Sequence, residues 1–427
     1  MHLQNNRFKH FSYCSRFGGV LILTALIAGL GGILLHEFLD LIEYLVLGHD
    51  ETSTTQAVST KQFILIVLAG IISAILWYFL QRKNRQIISV KSQMKAENSV
   101  SRQPKFWIHL TNIFLQVASV GAGSPIGKEG APRELGALGA GRVSDYLKLT
   151  LQDRKLAIAC GASAGLAAVY QVPIASIFFA FETLGLGISV LNLISVSVTT
   201  ILASLVAGVV ISDAPLYETA QVMLDVKTAI LAIGLAVLIS PIAQLFRRLT
   251  QKAQAQKVTD RTILWRLPLT FLLLASLSLV FPEILGNGGA MAQGVFDGMT
   301  VQYAAMIVVV KSFVVLLTLK NGAYGGTLTP SFSMGAVLGF LGAVLCSQIF
   351  PTISLASAML IGSSVFLAIT MKAPLTAVGL VVSFTGQKLQ ALPILLIAVA
   401  AAIFIKQLIE RNSYVNPYRS QTRRNRR

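Results

Sequence analysis

Long apolar segments separated by short polar connections fill the sequence from residue 17 onward. Several segments reach the roughly 20 apolar residues that a helix needs to cross the hydrocarbon core of a bilayer. Others are shorter and contain glycine and proline. Because lipid cannot satisfy backbone groups that leave a helix, we expect these breaks to be buried in protein or to line a wet cavity. The predicted apolar helices cover residues 17–47, 63–81, 107–122, 133–148, 153–170, 173–187, 189–212, 226–246, 264–281, 303–319, 331–350, 353–370, 374–385 and 391–409.

The composition agrees with a membrane protein. Hydrophobic residues make up 54% and charged residues 12% of the 427 residues, whereas a globular domain carries about 25% charged residues. The mean hydropathy is +0.69. We therefore expect an all-α polytopic membrane protein, with a basic cytoplasmic arm at 1–16, one transmembrane domain at 17–418 and a basic cytoplasmic tail at 419–427.

The formal net charge of +17 would suggest nucleic-acid binding in a soluble protein, but the positions of the charges favour another interpretation. Basic residues concentrate beside apolar segments, at 7–16, 82–105, 247–266 and 419–427, whereas the loops at 49–61 and 212–227 contain few. This is the positive-inside pattern. It predicts an inner-membrane protein with both termini in the cytoplasm and a tail that contacts anionic lipid rather than nucleic acid.

No pattern of enzyme or cofactor chemistry stands out in the sequence. Cys160 and Cys346 lie in apolar segments, and the five histidines include no pair at metal-ligand spacing. A nucleotide-binding loop and a nucleophile elbow are also missing from the sequence. We therefore expect a protein that is not an enzyme and has neither a metal centre nor a cofactor.

The chain repeats part of its own pattern. The segment Gly161–Ala168 reads GASAGLAA, and Gly362–Ile369 reads GSSVFLAI, 201 residues later. Upstream, a proline followed by a Gly-Ala-x-x-Gly or Gly-Ala-Leu-Gly stretch occurs at 132–139 and again at 330–339. Two matches at nearly one offset predict a duplicated half, and repeated halves with broken helices often place a transporter's substrate site between them.

The segment Gly121–Glu134, which reads GAGSPIGKEGAPRE, carries the densest chemical signal. Its glycines let the backbone leave a helix, and its second proline suits the first turn of the next one. The free amides and partial positive charge of a helix beginning attract an anion. Glu129 lies at this point, where its carboxylate can occupy the anion position until protonation releases it. An ion pair that fixes helix packing, either Lys128 with Glu129 or Arg133 with Glu134, is the alternative.

The segment 127–132, GKEGAP, resembles the G-[KR]-E-G-P element of the CLC family of chloride channels and chloride/proton antiporters, with one extra residue before the proline. Residues 161–168 resemble the family's G-x-A-A-G-x-A-A stretch. Residues 325–330, GGTLTP, resemble G-x-F-x-P, and residues 372–376, KAPLT, resemble [RK]-A-P-L-T. Tyr414 follows the last apolar segment, where the family places its pore tyrosine. The resemblance covers nearly the whole chain, in the family's order.

This resemblance implies a CLC-type fold of two inverted repeats, about 17–212 and 226–418, and a homodimer in which each subunit holds its own anion pathway. It implies that Glu129 is the gating carboxylate, with chloride or a similar halide and protons as partners. The implied anion-binding residues are Ser89, Lys128, Gly130, Thr327, Leu328, Thr329 and Tyr414. We expect a prokaryotic-type member without cytoplasmic regulatory domains.

Three departures from the family pattern bear on mechanism. Ser89 matches the central serine by spacing alone, because the surrounding G-S-G-I-P element is absent. Leu328 replaces the usual phenylalanine. Of two adjacent glutamates in the family, Glu182 keeps the first, while the second, the inner proton-transfer residue of many antiporters, is Thr183. Protons would then reach Glu129 through water or through Glu182, or transport would not be strictly coupled.

Four functions stay open at this point. The first is a chloride/proton antiporter with Glu129 as its gate. The second is a passive chloride channel, gated by voltage or pH, in which Thr183 breaks the proton route. A fluoride-selective exchanger is the third, because the missing serine motif leaves the inner anion site undefined. An unrelated secondary transporter of a small solute is the fourth.

Overall fold

The structure is a computed structural model that describes residues 2–48, 52–53, 57–82, 87–95, 104–347 and 353–424, and within these the side chains of 15–411. The described residues form α-helices joined by short loops, and their one β-type contact is an isolated bridge. The helices are α1 His2–Val46, α2 Thr60–Gln81, α3 Val90–Lys95, α4 Phe106–Gly121, α5 Gly130–Tyr146, α6 Leu151–Tyr170, α7 Pro173–Glu182, α8 Val190–Ala207, α9 Val226–Ala255, α10 Ile263–Ser278, α11 Gly289–Asp297, α12 Val301–Lys320, α13 Leu328–Ser347, α14 Leu355–Met371, α15 Pro374–Phe384 and α16 Leu392–Arg424. The predicted all-α class is therefore confirmed.

Seven segments of these helices are long and apolar enough to span a bilayer, from Ser15–Val46 to Leu389–Arg411. Five further apolar helices are shorter than a bilayer is thick, among them α4, α7 and α15. The protein is thus a multi-pass membrane protein that combines long apolar helices with shorter ones.

Helix ends differ from the sequence prediction where polar residues continue an apolar helix. α9 extends past the predicted end at 246 to Ala255, because its Arg, Leu, Gln, Lys and Ala residues have high helix propensity. α1 begins at His2, within the segment expected as an arm, and α16 continues to Arg424. The short helices α3 and α11 were not predicted, since neither contains a long apolar run.

Each half contains one pair of helices that cross at glycines. In the first half, Gly136 of α5 meets Gly161 of α6 so closely that a Cβ on either residue would overlap the other's carbonyl oxygen. In the second half, Gly335 of α13 and Gly362 of α14 make the corresponding contact. Small residues let helix backbones approach closely in this way. The duplicated glycines of the sequence therefore fix the same helix pair in both halves.

Candidate functional site

Two loops, one from each half, are joined where the helices α5 and α13 begin. Gly127 and Gly326 form an antiparallel bridge, with N–H···O distances of 2.8 and 2.9 Å in the two directions. The loops lead directly into Gly130 and Leu328, the first residues of α5 and α13. The first amides of a helix have no acceptor within that helix, and its beginning carries partial positive charge. The bridge therefore holds two anion-attracting helix ends side by side.

Glu129 crosses from the first half to the helix beginning in the second half. Its Oε1 accepts a hydrogen bond from the backbone N–H of Leu328 at 2.7 Å. The residue is 1% exposed, and its Oε2 is buried without a hydrogen-bond partner among the described residues. A Cβ on Gly127 or Gly326 would overlap the carboxylate. The two bridged glycines thus leave the space in which this acid rests.

The other residues predicted at the helix beginnings surround the same point. Leu328 and Thr329 are buried, and Thr327 is half-buried. The Thr329 hydroxyl lies 3.5 Å from that of Tyr170, at the end of α6. Lys128 is buried, and its ammonium lies 5.7 Å from the centre of the Tyr170 ring. The structure therefore brings Lys128 and the beginning of α13 together around one aromatic residue.

Arg133 and Glu134 make contacts other than the ion pair considered as an alternative. Arg133 donates from Nε to the carbonyl oxygen of Glu129 at 2.6 Å, and its guanidinium lies 5.3 Å from the ring centre of Phe179. Glu134 is bonded to three side chains of α4. Its Oε1 lies 2.5 Å from Nδ1 of His109, and its Oε2 accepts from the amides of Asn112 and Gln116, each at 3.0 Å. Sequence reasoning missed this cluster, because its residues lie on two helices.

A cavity of about 460 Å³ lies beside these residues. Its wall includes Gly130 and Gly325, next to the glycine bridge, and Gln254 near the end of α9. Residues 87–91, which belong to the basic segment 82–105, also line it, so they and the end of α9 lie on one side of the protein, here called the basic face. Arg142 supports this direction for α5, because its Nη2 donates to the carbonyl oxygen of Pro104 at 3.1 Å. The helix therefore runs from the glycine bridge toward the basic face.

Ser89 lies at the beginning of α3, on the wall of this cavity. It is exposed, and its Oγ accepts from the backbone N–H of Ser92 at 3.2 Å and lies 2.9 Å from the Ser92 hydroxyl. The serine chosen by spacing thus directly precedes a short helix beside the cavity. The side chain of Tyr414 lies outside the described residues, although its backbone belongs to α16.

Glu182 and Thr183, the two inner positions, have different surroundings. Glu182 accepts hydrogen bonds from the backbone N–H groups of Leu375 and Thr376, at 2.9 and 2.8 Å, and from the Thr376 hydroxyl at 2.7 Å. It therefore binds the first amides of α15. Thr183 lines the cavity, and its hydroxyl has no hydrogen-bond partner in the part of the chain that the structure describes.

Comparison with known proteins agrees with this arrangement. The family model described as voltage gated chloride channel matches residues 69–407. The voltage-gated ClC-type chloride channel ClcB of Escherichia coli is 29% identical over 392 residues, covering 90% of this chain and 93% of the relative. The protein of that name from Shigella flexneri is 29% identical over 391 residues, with 89% and 93% coverage.

Solved structures show the same fold at low identity. A slow cyanobacterial Cl⁻/H⁺ antiporter matches with a TM-score of 0.76 and 19% identity, over 93% of this chain and 98% of that one. A CLC-type fluoride/proton antiporter matches with a TM-score of 0.74 and 19% identity, over 92% and 95%. Since the family model covers most of the sequence, and the helix beginnings meet as the motifs imply, this chain belongs to the CLC family of anion transporters.

Proposed function

We propose that this protein is a chloride/proton antiporter in which Glu129 alternates between the anion position at the beginning of α13 and a protonated, displaced state. The observation that carries the proposal is the contact of the buried Glu129 Oε1 with the Leu328 N–H at 2.7 Å. A carboxylate held there occupies the place that a helix beginning offers to an anion.

The environment of Glu129 favours a carboxylate that alternates with chloride at the Leu328 amide over one that stays there permanently. Burying a carboxylate is costly unless its oxygens are paired, and Oε2 is buried without a partner among the described residues. A proton on the acid removes this cost and weakens its hold on the Leu328 amide. Chloride can then take the vacated donors. When the acid loses its proton to one side of the membrane, the returning carboxylate displaces the anion toward the other side.

A passive chloride channel is the second candidate, and Thr183 is the observation that favours it. Threonine does not titrate in the physiological pH range, so the cavity wall has no acid at the position where many antiporters carry their inner glutamate. In a channel, Glu129 would open and close the path without moving a proton across the membrane. A fluoride-selective exchanger would use the same carboxylate with a different preferred anion.

We also propose the oligomeric state of the protein and its orientation in the membrane. We infer a homodimer in an inner membrane, with both termini and the basic face in the cytoplasm, and anionic lipid as the contact of the basic tail. The apolar side chains of Ile174, Ile194, Leu205 and Leu375, on α7, α8 and α15, are 66%, 56%, 65% and 42% exposed in the single chain. They offer a surface that a second subunit or lipid would cover.

Flux through vesicles tests the antiport. The purified full chain is reconstituted, a chloride gradient is imposed with the membrane potential clamped by a potassium ionophore, and chloride and proton movements are recorded together. We expect protons to move against their own gradient in wild type. The Glu129→Gln variant should conduct chloride without proton movement, because a carboxamide cannot bind a proton at this position.

The exposed Glu37 of α1 provides the matched control. Glu37→Gln removes the same charge and should leave the proton-to-chloride ratio at the wild-type value. Chloride flux without any proton movement in wild type would identify the channel instead. Coupling that persists in Glu129→Gln would remove Glu129 from its role, and a faster flux of fluoride than of chloride would change the assigned anion.

A further inference from the structure

A second acid follows Glu129 on the same helix and faces the same cavity. Glu134 lies five residues further along α5, about 7.5 Å of helix rise toward the basic face. The residue is 8% exposed, yet it forms part of the cavity wall together with Gly130, one turn earlier. An ionisable residue at membrane depth that faces a cavity is expensive to retain and is by default a functional one.

Gln116 connects the surroundings of the two acids. Its Nε2 donates to Glu134 Oε2 at 3.0 Å, and its Oε1 lies 2.5 Å from the place of a Cβ on Gly130. A side chain at position 130 would therefore collide with this amide. The cavity wall includes Gly130, which follows Glu129 in the chain, and Gly325, which precedes Gly326. Glu134 is thus one turn of α5 beyond the residue that follows Glu129, on the wall of a cavity wide enough for water.

His109 links Glu134 to the basic face. Its Nε2 accepts a hydrogen bond from the backbone N–H of Ile88 at 3.3 Å, so the network places the imidazole proton on Nδ1. Nδ1 then donates to Glu134 Oε1 at 2.5 Å. Ile88 and Ser89, which belong to the basic segment 82–105, line the cavity. The carboxylate is therefore oriented by donors that satisfy its ionised form, at the inner side of the gate.

We propose that Glu134 is the inner proton-binding carboxylate of this antiporter, taking protons from the basic face and passing them to Glu129. This inference rests on the proposed chloride/proton exchange. An O–H bond forms on Glu134 as a hydronium ion in the cavity loses its proton. That bond breaks when the proton moves, through cavity water, to the Glu129 carboxylate, which leaves the Leu328 amide. Glu134 returns to its ionised form, and one proton has crossed between the acids.

The role differs from that of Thr183, which stands on the same cavity wall without a titratable group. The charged and titratable groups that face Glu134 belong to four segments of the chain. They are His109 of α4, Arg133 of α5 itself, Lys257 of the loop before α10 and Tyr324 of the loop before α13. The ammonium of Lys257 lies 2.8 Å from the ring centre of Tyr324.

The experiment measures the ratio of proton to chloride flux in vesicles that contain the full chain. Replacing Glu134 by Gln keeps an oxygen that accepts from Asn112 and Gln116 but removes the proton-binding group. We expect the ratio to fall about tenfold or more, as for removal of a positioned acid-base group. The double variant Glu134→Gln with Thr183→Glu returns a carboxylate to the same cavity, and we expect it to restore coupled proton flux. A purely structural role would not be rescued by a carboxylate at another position of the cavity wall.

The outcomes separate this inference from the function on which it rests. Wild-type coupling together with an unchanged ratio in Glu134→Gln overturns the role of Glu134 and leaves the antiport standing. A lowered ratio that Thr183→Glu does not restore also overturns it, because the residue then acts through packing. If wild type moves chloride without protons, the antiport and the inference fail together.

If Glu134→Gln does not fold, Glu134→Asp decides the question. Slowing of proton flux alone supports the role, and equal slowing of both fluxes overturns it.

Discussion

Two carboxylates of the first half each bind the beginning of a helix in the second half. Glu129 reaches α13 and receives one hydrogen bond from Leu328, while its other oxygen is buried without a partner in the described structure. Glu182 reaches α15 and receives three hydrogen bonds, from two backbone amides and the hydroxyl of Thr376. Both acids thus place a carboxylate at a helix beginning. The hydrogen bonds of Glu182 involve both of its oxygens, whereas those of Glu129 involve only one.

The difference in pairing indicates a difference in task. A fully bonded carboxylate lowers the free energy of the folded state, because it replaces water at three donors. A carboxylate with one bond and a buried unpaired oxygen has less to lose by moving. The glycines at 127 and 326 leave a space beside Glu129 that an added Cβ would fill. We therefore interpret Glu182 as a fixed link between the halves and Glu129 as the movable acid.

Removal of the fixed link should give the largest loss of stability. Glu182→Ala leaves the Leu375 and Thr376 amides without their acceptor, and we expect a loss of about 2 to 3 kcal/mol of unfolding free energy. The apparent melting temperature of the purified protein in detergent measures this, at one fixed heating rate because membrane-protein unfolding is often irreversible. Glu182→Gln keeps one acceptor oxygen and should fall between Glu182→Ala and wild type.

The exposed Glu37 again gives the reference, and Glu37→Ala should melt within the error of wild type. The ratio of proton to chloride flux should stay at its wild-type value in folded Glu182→Gln. A lowered ratio with unchanged melting temperature would make Glu182 part of the proton route instead, and the contrast with Glu129 would be lost.

A substitution at Gly326 tests whether the Glu129 carboxylate can move. A Cβ on Gly326 would overlap the Glu129 carboxylate, and the end of this side chain can move away more easily than backbone. We expect Gly326→Ala to displace the acid from the Leu328 amide. Chloride flux at neutral pH should rise several-fold, and its dependence on pH should weaken. Stopped-flow efflux from vesicles at several pH values measures both.

A double variant checks the cause. In Glu129→Ala the carboxylate is gone, so Gly326→Ala should add nothing further, and the non-additivity measures the coupling between the two sites. Gly234→Ala is the glycine control, because an added Cβ there meets no atom within 4 Å. Equal effects of Gly326→Ala with and without Glu129 would show that the alanine acts on the glycine bridge rather than on the acid.

The sequence predicted those features that local chemistry and internal duplication determine. The apolar segments predicted the helical membrane fold, and the Gly-Pro pattern of 121–134 predicted a helix beginning close to its place in α5. The repeat offset predicted a duplicated half, and the bridged Gly127 and Gly326 are 199 residues apart, close to that offset, although the pair itself was not predicted. Each of these depends on residues close in sequence or on a copied segment.

Contacts between unrelated positions could not be predicted in this way. His109 was an isolated histidine in the sequence, because its partner Glu134 is 25 residues away on another helix and fits no ligand spacing. Glu182 was a candidate proton residue, and nothing nearby showed that α15 would supply three donors. Which acid is fully hydrogen-bonded and which keeps an unpaired oxygen depends on the packing of helices that periodicity alone does not position.

A third carboxylate, Asp225, also binds a helix beginning, and we expect it to contribute the least stability of the three. Asp225 precedes α9, and its Oδ1 accepts from the backbone N–H of Thr228 at 2.6 Å. This hydrogen bond from Thr228 lowers the pKa of the Asp225 carboxyl below its ordinary value. The residue is exposed and its partner is three positions away, so the contact joins neither the two halves nor distant helices. Its contribution to stability should be the smallest of the three.

The pH dependence follows from the direction of that shift. A carboxyl with a lowered folded-state pKa stabilises the protein above its unfolded value, about 3.9 for Asp, and the stabilisation is lost as the pH falls through the folded value. Asp225→Ala should therefore melt slightly below wild type at pH 7, and the difference should shrink as the pH falls below the unfolded value and through the lowered folded one. Asp225→Ser keeps a neutral cap, so its difference from alanine should persist at both pH values. A gap between wild type and alanine that is the same at pH 7 and pH 3 would mean that the charge at this helix beginning contributes nothing. The larger stability contribution expected of Glu182 than of Asp225 would then have to be explained by burial alone.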